Sequence, residues 1–323
     1  MYGFMVEMIH PFAKGCHTHF LTRTPSPKVI MEAFARVRPK LIVAVPLIIE
    51  KIIKTRVFPT LERPLMKLLM HVPVLDDHLL AKIKQKIIDS FGGELRELII
   101  GGAGVNKEVE AFLRRIRFPY TVGYGMTECG PLISYAAWDV QRPASCGKVV
   151  DRMEIRVDSS DPASVAGVLW VRGQNVMKGY YKNDEATASV FDADGWMNTG
   201  DICNVDSDGY IYIRGRDKNM ILGPSGQNIY PEEIEHLLNN MPYVNESLVV
   251  EKDGKLVALV HPDIEAASAV GLKMPQIEQQ MEKNISDLNH DLPDYSRIAE
   301  VKVFQEEFEK TPKRSIKRYL YQH

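Results

Sequence analysis

From the start of the chain to about residue 137, short apolar runs rich in β-branched residues alternate with longer stretches of helical periodicity. That alternation is the pattern of parallel α/β structure. Residues 40–45 read as a buried strand that Pro46 ends, ahead of a helical stretch over 47–54. A second strand at 97–100 runs into Gly101-Gly102-Ala103-Gly104, and Asn106 is placed to cap a helix carrying Val109, Phe112, Leu113 and Ile116. A third strand at 120–124 follows Pro119.

After about residue 145 the texture changes. Segments 168–172, 202–205 and 210–214 alternate like half-buried antiparallel strands, the last two joined by Asp206-Ser207-Asp208-Gly209. From about 216 the chain reads as a separate α+β unit: Pro231 opens a helix with Glu232 and Glu233 in its first turn, and strands at 247–251 and 256–260 meet at Asp253-Gly254. The expected class is α/β, divided as an α/β subdomain over 1–140, a small β-rich, barrel-like subdomain over 141–214 and an α+β domain over 215–323.

Composition narrows this picture. The 323 residues hold 40 Lys+Arg against 42 Asp+Glu, a net charge of −2, which argues against an electrostatically driven nucleic-acid binder. With 45% hydrophobic and 25% charged residues the chain has the ordinary globular balance. Its longest apolar run, 41–49, contains Pro46 and falls well short of the roughly 20 residues that span a bilayer. Glu7, His10 and Lys14 break up any apolar signal-peptide core, and Cys16, Cys129, Cys146 and Cys203 lack metal or redox spacing. A cytoplasmic protein with reduced thiols is expected. The pair His17 and His19 lacks further ligands at metal spacing.

The chemistry gathers in three glycine-containing loops near strands, where open α/β sheets bind ligands. In Gly101-Gly102-Ala103-Gly104 the missing side chains allow backbone to approach a flat ligand. In Gly123-Tyr124-Gly125-Met126-Thr127-Glu128 an aromatic ring between glycines can lie against a base, while a hydroxyl beside a carboxylate suits a phosphate oxygen and a hard cation. Thr199-Gly200-Asp201 lies just before a predicted strand, and Arg216 follows in Gly215-Arg216-Asp217-Lys218. A carboxylate and a guanidinium can together grip a ribose diol.

In order along the chain, the runs VGYGMTECG, GVLWVRGQNVMKGYY, DGWMNTGD, YIYIRGRDKNMI and GQNIYPEEIE resemble the adenylate-forming superfamily and, within it, the long-chain fatty acid–CoA ligases. The resemblance implies a two-step reaction. A carboxylate attacks the α-phosphate of ATP to give acyl-AMP and pyrophosphate, and the thiol of coenzyme A then displaces AMP. By position, Tyr124 and Gly125 would meet adenine, with Gly102 and Ala103 along the base and the acyl pocket. Thr127 would contact phosphate, Glu128 would hold Mg²⁺, and Asp201 and Arg216 would grip the ribose. Lys218 matches the hinge of a mobile C-terminal domain, and Gly226 and Gln227 match the loop that approaches coenzyme A.

Two departures qualify that resemblance. Residues 1–122 contain no phosphate loop of the type S/T-S/T-G-x-T-G-x-P-K-G, and Met1-Tyr2-Gly3-Phe4 resembles a point just after that loop. The chain is therefore expected to be the C-terminal portion of a longer ligase, with an incomplete large domain and little or no adenylating activity. The family closes on a catalytic lysine in a K-T-x-x-G-K-I-x-R pattern, where this chain has Ser315, leaving Lys313 or Lys317 to supply the cation. Other readings are a non-catalytic nucleotide- or partner-binding module, and a ligase for a shorter, aromatic or amino acid. From Lys310 onward the sequence has five Lys or Arg and no acid, a composition suited to weak contact with an anionic membrane surface. The sequence sets no oligomeric state.

Overall fold

The computed structural model describes every residue except 1–2, 21–26, 62, 64–65, 67–72, 103, 224–225, 312–315 and 323. After helix α1 (Pro27–Val37), the first apolar run forms β1 (Leu41–Ala44). Pro46 then occupies the first turn of α2 (Pro46–Ile52), where its missing N–H costs nothing. Helix α3 (Pro73–Ser90) leads to β2 (Glu97–Gly101) and α4 (Lys107–Arg115) leads to β3 (Tyr120–Gly125). Asn106 caps α4 as expected, its side chain accepting from the Val109 N–H at 2.8 Å. Strands β1, β2 and β3 are parallel; β4 (Leu132–Tyr135) and β5 (Lys148–Val149) add antiparallel, giving the order β1-β2-β3-β4-β5. Ile53, Phe91, Leu98, Ile100, Leu113 and Phe118 are buried in the core between the helices and this sheet.

The β-rich segment is an open four-stranded sheet of order β6-β7-β8-β9. No closed barrel is present among the described residues. Its strands are β6 (Met153–Asp158), β7 (Gly167–Gly173), β8 (Met197–Val205) and β9 (Ile211–Arg216), with the short helix α5 (Asp184–Ala188) between β7 and β8. Met153, Leu169, Val171, Met197, Cys203 and Ile211 face a core that also takes Cys129 and Ile133. Two Asp-x-Asp-Gly turns are built alike. Asp206 Oδ1 accepts from the N–H groups of Asp208 and Tyr210, and Asp192 Oδ1 from those of Asp194 and Trp196. Each carries an arginine on its other oxygen, Arg142 at 2.7 Å and Arg156 at 2.8 Å.

The chain divides into two compact units, Met1–Thr199 with Cys203–Ile213, and Gly200–Ile202 with Arg214–His323. In the second, β10 (Ile221–Leu222) and β11 (Asn228–Ile229) form a small ribbon before α6 (Pro231–Leu238). Strands β12 (Val244–Lys252) and β13 (Lys255–Pro262) make a hairpin through Asp253 and Gly254, both at positive φ, 51° and 73°. After α7 (Ile264–Ala269) and α8 (Met274–Asp291), β14 (Ile298–Val303) joins β13 in parallel. The sheet is buried on both faces, and its side chains sort by alternation. Val249, Ala258 and Val260 meet Ile234, Leu238, Ile277 and Met281, while Leu248, Val250, Val257 and Leu259 meet Phe308 and the flanking Phe304 and Tyr321.

Candidate functional site

In the first unit the site centres on the end of β3. Gly125 is required there by close approach: a Cβ would stand 1.9 Å from the Pro131 carbonyl oxygen. The Met126 N–H donates to that same oxygen at 2.8 Å, so the strand turns back directly into β4. Between them Thr127–Cys129 forms a single tight helical turn. This turn exposes the Thr127 side chain and leaves Glu128 half-buried. Tyr124, also half-buried, packs with Met126 against the core of the four-stranded sheet.

A segment following β7 straps the turn in place. The Asn175 side-chain amide donates to the carbonyls of Cys129 (2.7 Å) and Leu132 (2.9 Å), and the Met177 N–H donates to the Glu128 carbonyl at 2.7 Å. The Tyr180 hydroxyl donates to Glu128 Oε1 at 3.1 Å. Desolvation, followed by the charge of Glu128, holds that hydroxyl above the usual phenol range, so it remains a donor. Sequence reasoning did not single out Asn175 or Tyr180, although both lie in the GVLWVRGQNVMKGYY run; the separation of 52 positions between Tyr180 and Glu128 hid the pairing.

Among the described residues no group of three or more His, Cys, Asp or Glu side chains could hold a metal by itself. A lone carboxylate beside a hydroxyl still fits Mg²⁺ in one specific setting. This ion keeps most of its shell as water and is commonly held by one or two carboxylates together with substrate phosphates. Glu128 has the matching donor chemistry, with one oxygen engaged by a neutral hydroxyl.

At the end of β2, Gly102 is exposed at φ 90°, followed by the buried Val105 and Asn106; Ala103 lies outside the described residues. The Asn106 N–H donates to Glu50 Oε1 at 2.7 Å, which ties this loop to α2.

In the second unit Asp201 and Arg216 come together. Arg216 Nε lies 2.8 Å from Asp201 Oδ1, the carboxylate almost buried and the guanidinium 54% exposed. Thr199-Gly200-Asp201 lies inside β8, not ahead of a strand as its sequence suggested. The reason is Gly200, whose φ of 70° bends the strand midway in a conformation that a side chain would oppose. Lys218 is exposed in the turn Asp217–Asn219. Gly226 closes the β10–β11 ribbon, with its N–H donating to the Gly223 carbonyl at 2.9 Å. Gln227 is half-buried, its Oε1 buried with no hydrogen-bond partner among the described residues.

Lys313 and Ser315 lie outside the described residues. On either side of them Lys310 and Ile316 form an antiparallel bridge. Lys317, the other candidate for the missing cation, is paired with Glu309 at 3.0 Å. Lys310 is likewise paired, with Glu246 at 2.7 Å and Glu307 at 3.1 Å. Among the described residues no helix is long and apolar enough to cross a membrane.

Comparison with known proteins adds an independent line. A family model described as AMP-binding enzyme matches residues 1–181, more than half of the chain, and one described as AMP-binding enzyme C-terminal domain matches residues 218–322. 4-Coumarate-CoA ligase 2 of Narcissus pseudonarcissus is 31% identical over 236 residues, 69% of this chain and 40% of that protein. 4-Coumarate–CoA ligase-like 4 of Oryza sativa subsp. japonica is 36% identical over 169 residues, 49% of this chain and 30% of that protein. The fold matches O-succinylbenzoate coenzyme A synthetase from Bacillus subtilis in complex with AMP, at a TM-score of 0.71 and 20% identity, over 98% of this chain and 57% of that one. It also matches ATP-bound MatB from Rhodopseudomonas palustris, at a TM-score of 0.70 and 22% identity, over 99% of this chain and 57% of that one. The chain thus spans 30–40% of the length of these two curated relatives.

Proposed function

Because the chain belongs to the AMP-binding enzyme family of adenylate-forming enzymes, we propose that it carries the adenylate-binding portion of an acid–thiol ligase that uses ATP, Mg²⁺ and coenzyme A. The observation that carries this reading is the Asp201–Arg216 pair, a nearly buried carboxylate beside an exposed guanidinium at 2.8 Å. Fixed in this way, the carboxylate accepts from both hydroxyls of a ribose and the guanidinium donates to the same diol. Tyr124 supplies a ring face for adenine, Gly102 lines the base and acyl side, and Thr127 donates to phosphate. Lys218 is the hinge residue, and Gly226 and Gln227 face the coenzyme A arm.

Glu128 would hold Mg²⁺, and the ion would supply charge neutralisation at the phosphates. In the first reaction a substrate carboxylate oxygen bonds to the α-phosphorus while the bond to pyrophosphate breaks. In the second, the coenzyme A sulfur bonds to the acyl carbon and AMP leaves. Holding the reacting groups in register is the main protein contribution to such transfers.

The acid is an aromatic propenoate in one reading, supported by the 4-coumarate ligases named above. It is a long-chain fatty acid in the other, supported by the motif resemblance. Competition of each acid's adenylate analogue against bound AMP separates the two, the preferred analogue binding at least tenfold more tightly.

The chain itself is proposed to bind AMP without releasing pyrophosphate. Residues 1–122 lack the glycine- and hydroxyl-rich phosphate loop, and Ser315 stands where a cation belongs. A coupled pyrophosphate assay with ATP, Mg²⁺ and either acid tests this: saturable AMP binding with no release is expected. Release would overturn the second half of the proposal, and the absence of nucleotide binding would overturn the first.

A further inference from the structure

Tyr180 and Tyr181 are sequence neighbours, both exposed, Tyr180 far less so at 36%. The Tyr181 side chain is 87% exposed, with Lys182 5.3 Å from its ring centroid. Tyr180 instead turns its hydroxyl onto Glu128, and its own backbone is fixed from the other side. The Tyr180 N–H donates to Thr187 Oγ1 at 2.9 Å, and that hydroxyl donates to the Asn183 carbonyl at 2.8 Å. Asn183 caps α5, accepting from the Ala186 N–H at 3.0 Å. Gly179 makes room for this contact, since a Cβ there would stand 2.8 Å from Thr187 Cγ2. A continuous path of contacts therefore runs from α5 through Thr187 and Tyr180 to the Glu128 carboxylate.

We propose that Tyr180, itself held by Thr187, is a positioning residue for Glu128. Its hydroxyl fixes one carboxylate oxygen so that the other is presented to the divalent cation of a bound nucleotide. This rests on the reading that Glu128 holds that cation. A glutamate has several side-chain torsions, and a half-buried one that must meet a cation in one orientation loses rotamer freedom on binding. A neutral donor on one oxygen removes part of that loss in advance without competing for the ion's charge. Partners of this kind around metal ligands typically change metal affinity about 10–100-fold when removed.

The test is binding of Mn²⁺, as the spectroscopic stand-in for Mg²⁺, in the presence of ATP. It is followed by electron paramagnetic resonance on wild type and on Tyr180→Phe, Thr187→Val, Tyr181→Phe and Glu128→Gln. Metal-free AMP binding is measured in parallel. Because Tyr180 is partly exposed, the Phe variant is expected near the low end of that range, about tenfold weaker for Mn²⁺. Thr187→Val should shift the same way, Tyr181→Phe should match wild type, and metal-free AMP binding should be unchanged in all three.

Two results would overturn the positioning role while leaving the Glu128 reading intact. One is wild-type Mn²⁺ binding by Tyr180→Phe while Glu128→Gln loses it; the other is an equal loss of metal-free AMP binding in Tyr180→Phe. Unchanged Mn²⁺ binding in Glu128→Gln, or no Mn²⁺ binding with ATP by the wild type, would overturn the Glu128 reading and the inference with it.

Discussion

Gly125→Ala adds one carbon, and the surroundings make that carbon expensive. It would stand 1.9 Å from the Pro131 carbonyl oxygen, 2.9 Å from the carbonyl carbon and 3.0 Å from Leu132 Cα. Even close C–H···O contacts keep carbon and oxygen about 3.3 Å apart, so the strands must separate by roughly 1.4 Å or the turn must be rebuilt. Overpacking of this kind costs about 1–3 kcal/mol. Rebuilding also disturbs the Met126 N–H bond to the Pro131 carbonyl that sets the turn before Thr127 and Glu128. Gly123, two residues earlier on β3, provides the control: a Cβ there meets Leu132 Cδ1 at 3.5 Å and the Ser134 carbonyl at 3.6 Å, ordinary contacts. Gly123→Ala should be neutral or gain about 0.4–1 kcal/mol through the unfolded chain. The two variants should therefore differ by about 1–4 kcal/mol. All three tryptophans, Trp138, Trp170 and Trp196, lie in the first unit, so their fluorescence during urea unfolding reports that unit. The midpoint should fall for Gly125→Ala at an unchanged slope and hold for Gly123→Ala. Equal midpoints for the two would refute the packing argument and the turn geometry built on it.

Other outcomes follow from the same structure. Glu235 and Arg318 form a buried pair in the second unit, at 2.6 Å and 2.8 Å, further tied by the Val249 N–H to Glu235 and by Arg318 to the Val249 carbonyl. Glu235→Ala should cost about 3–5 kcal/mol by stranding the guanidinium, and the double change with Arg318→Met should cost less than that; calorimetric unfolding reads both. Burial, opposed by the Ala144 N–H and the Tyr120 hydroxyl, pushes the Glu110 carboxyl above the usual range. With the folded value raised, the folded form keeps its proton where the unfolded chain has lost it. The contribution of Glu110 is thus fully present below the unfolded value and is lost as pH rises through the folded one. Glu110→Gln should flatten this part of the stability curve, measured by urea titrations across pH 4–7; an unchanged slope would count against it.

How far the sequence carries the structure depends on the range of the interactions involved. The strands β1 to β3, the Asn106 cap and the Asp253-Gly254 turn were legible because apolar runs, a capping side chain and a turn dipeptide act over a few residues. β8 was misjudged because Gly200, which reads as a break, is a bend within one continuous strand. The barrel-like reading of the β-rich segment became an open sheet, since closure depends on the pairing of edge strands, which alternation alone does not encode. The pairing of Asp201 with Arg216 was anticipated as a shared function, while its salt-bridge geometry was not. Tyr180 and Glu235 escaped because each meets its partner across a long stretch of chain, Glu128 in one case and Arg318 in the other.

The central claim is that Asp201 and Arg216 form the ribose grip of an adenylate site. It is tested most directly by calorimetric titration of the chain with AMP, alongside Asp201→Asn, which keeps the side-chain shape. A hydrogen bond to a charged group is worth about 1.5–3 kcal/mol and about 1.4 kcal/mol is a factor of ten, so the variant should bind at least roughly tenfold more weakly. Saturable binding by the wild type with that loss in a variant that still folds is the predicted result. Equal affinity in the two proteins, or no saturable AMP binding by the wild type, would contradict it.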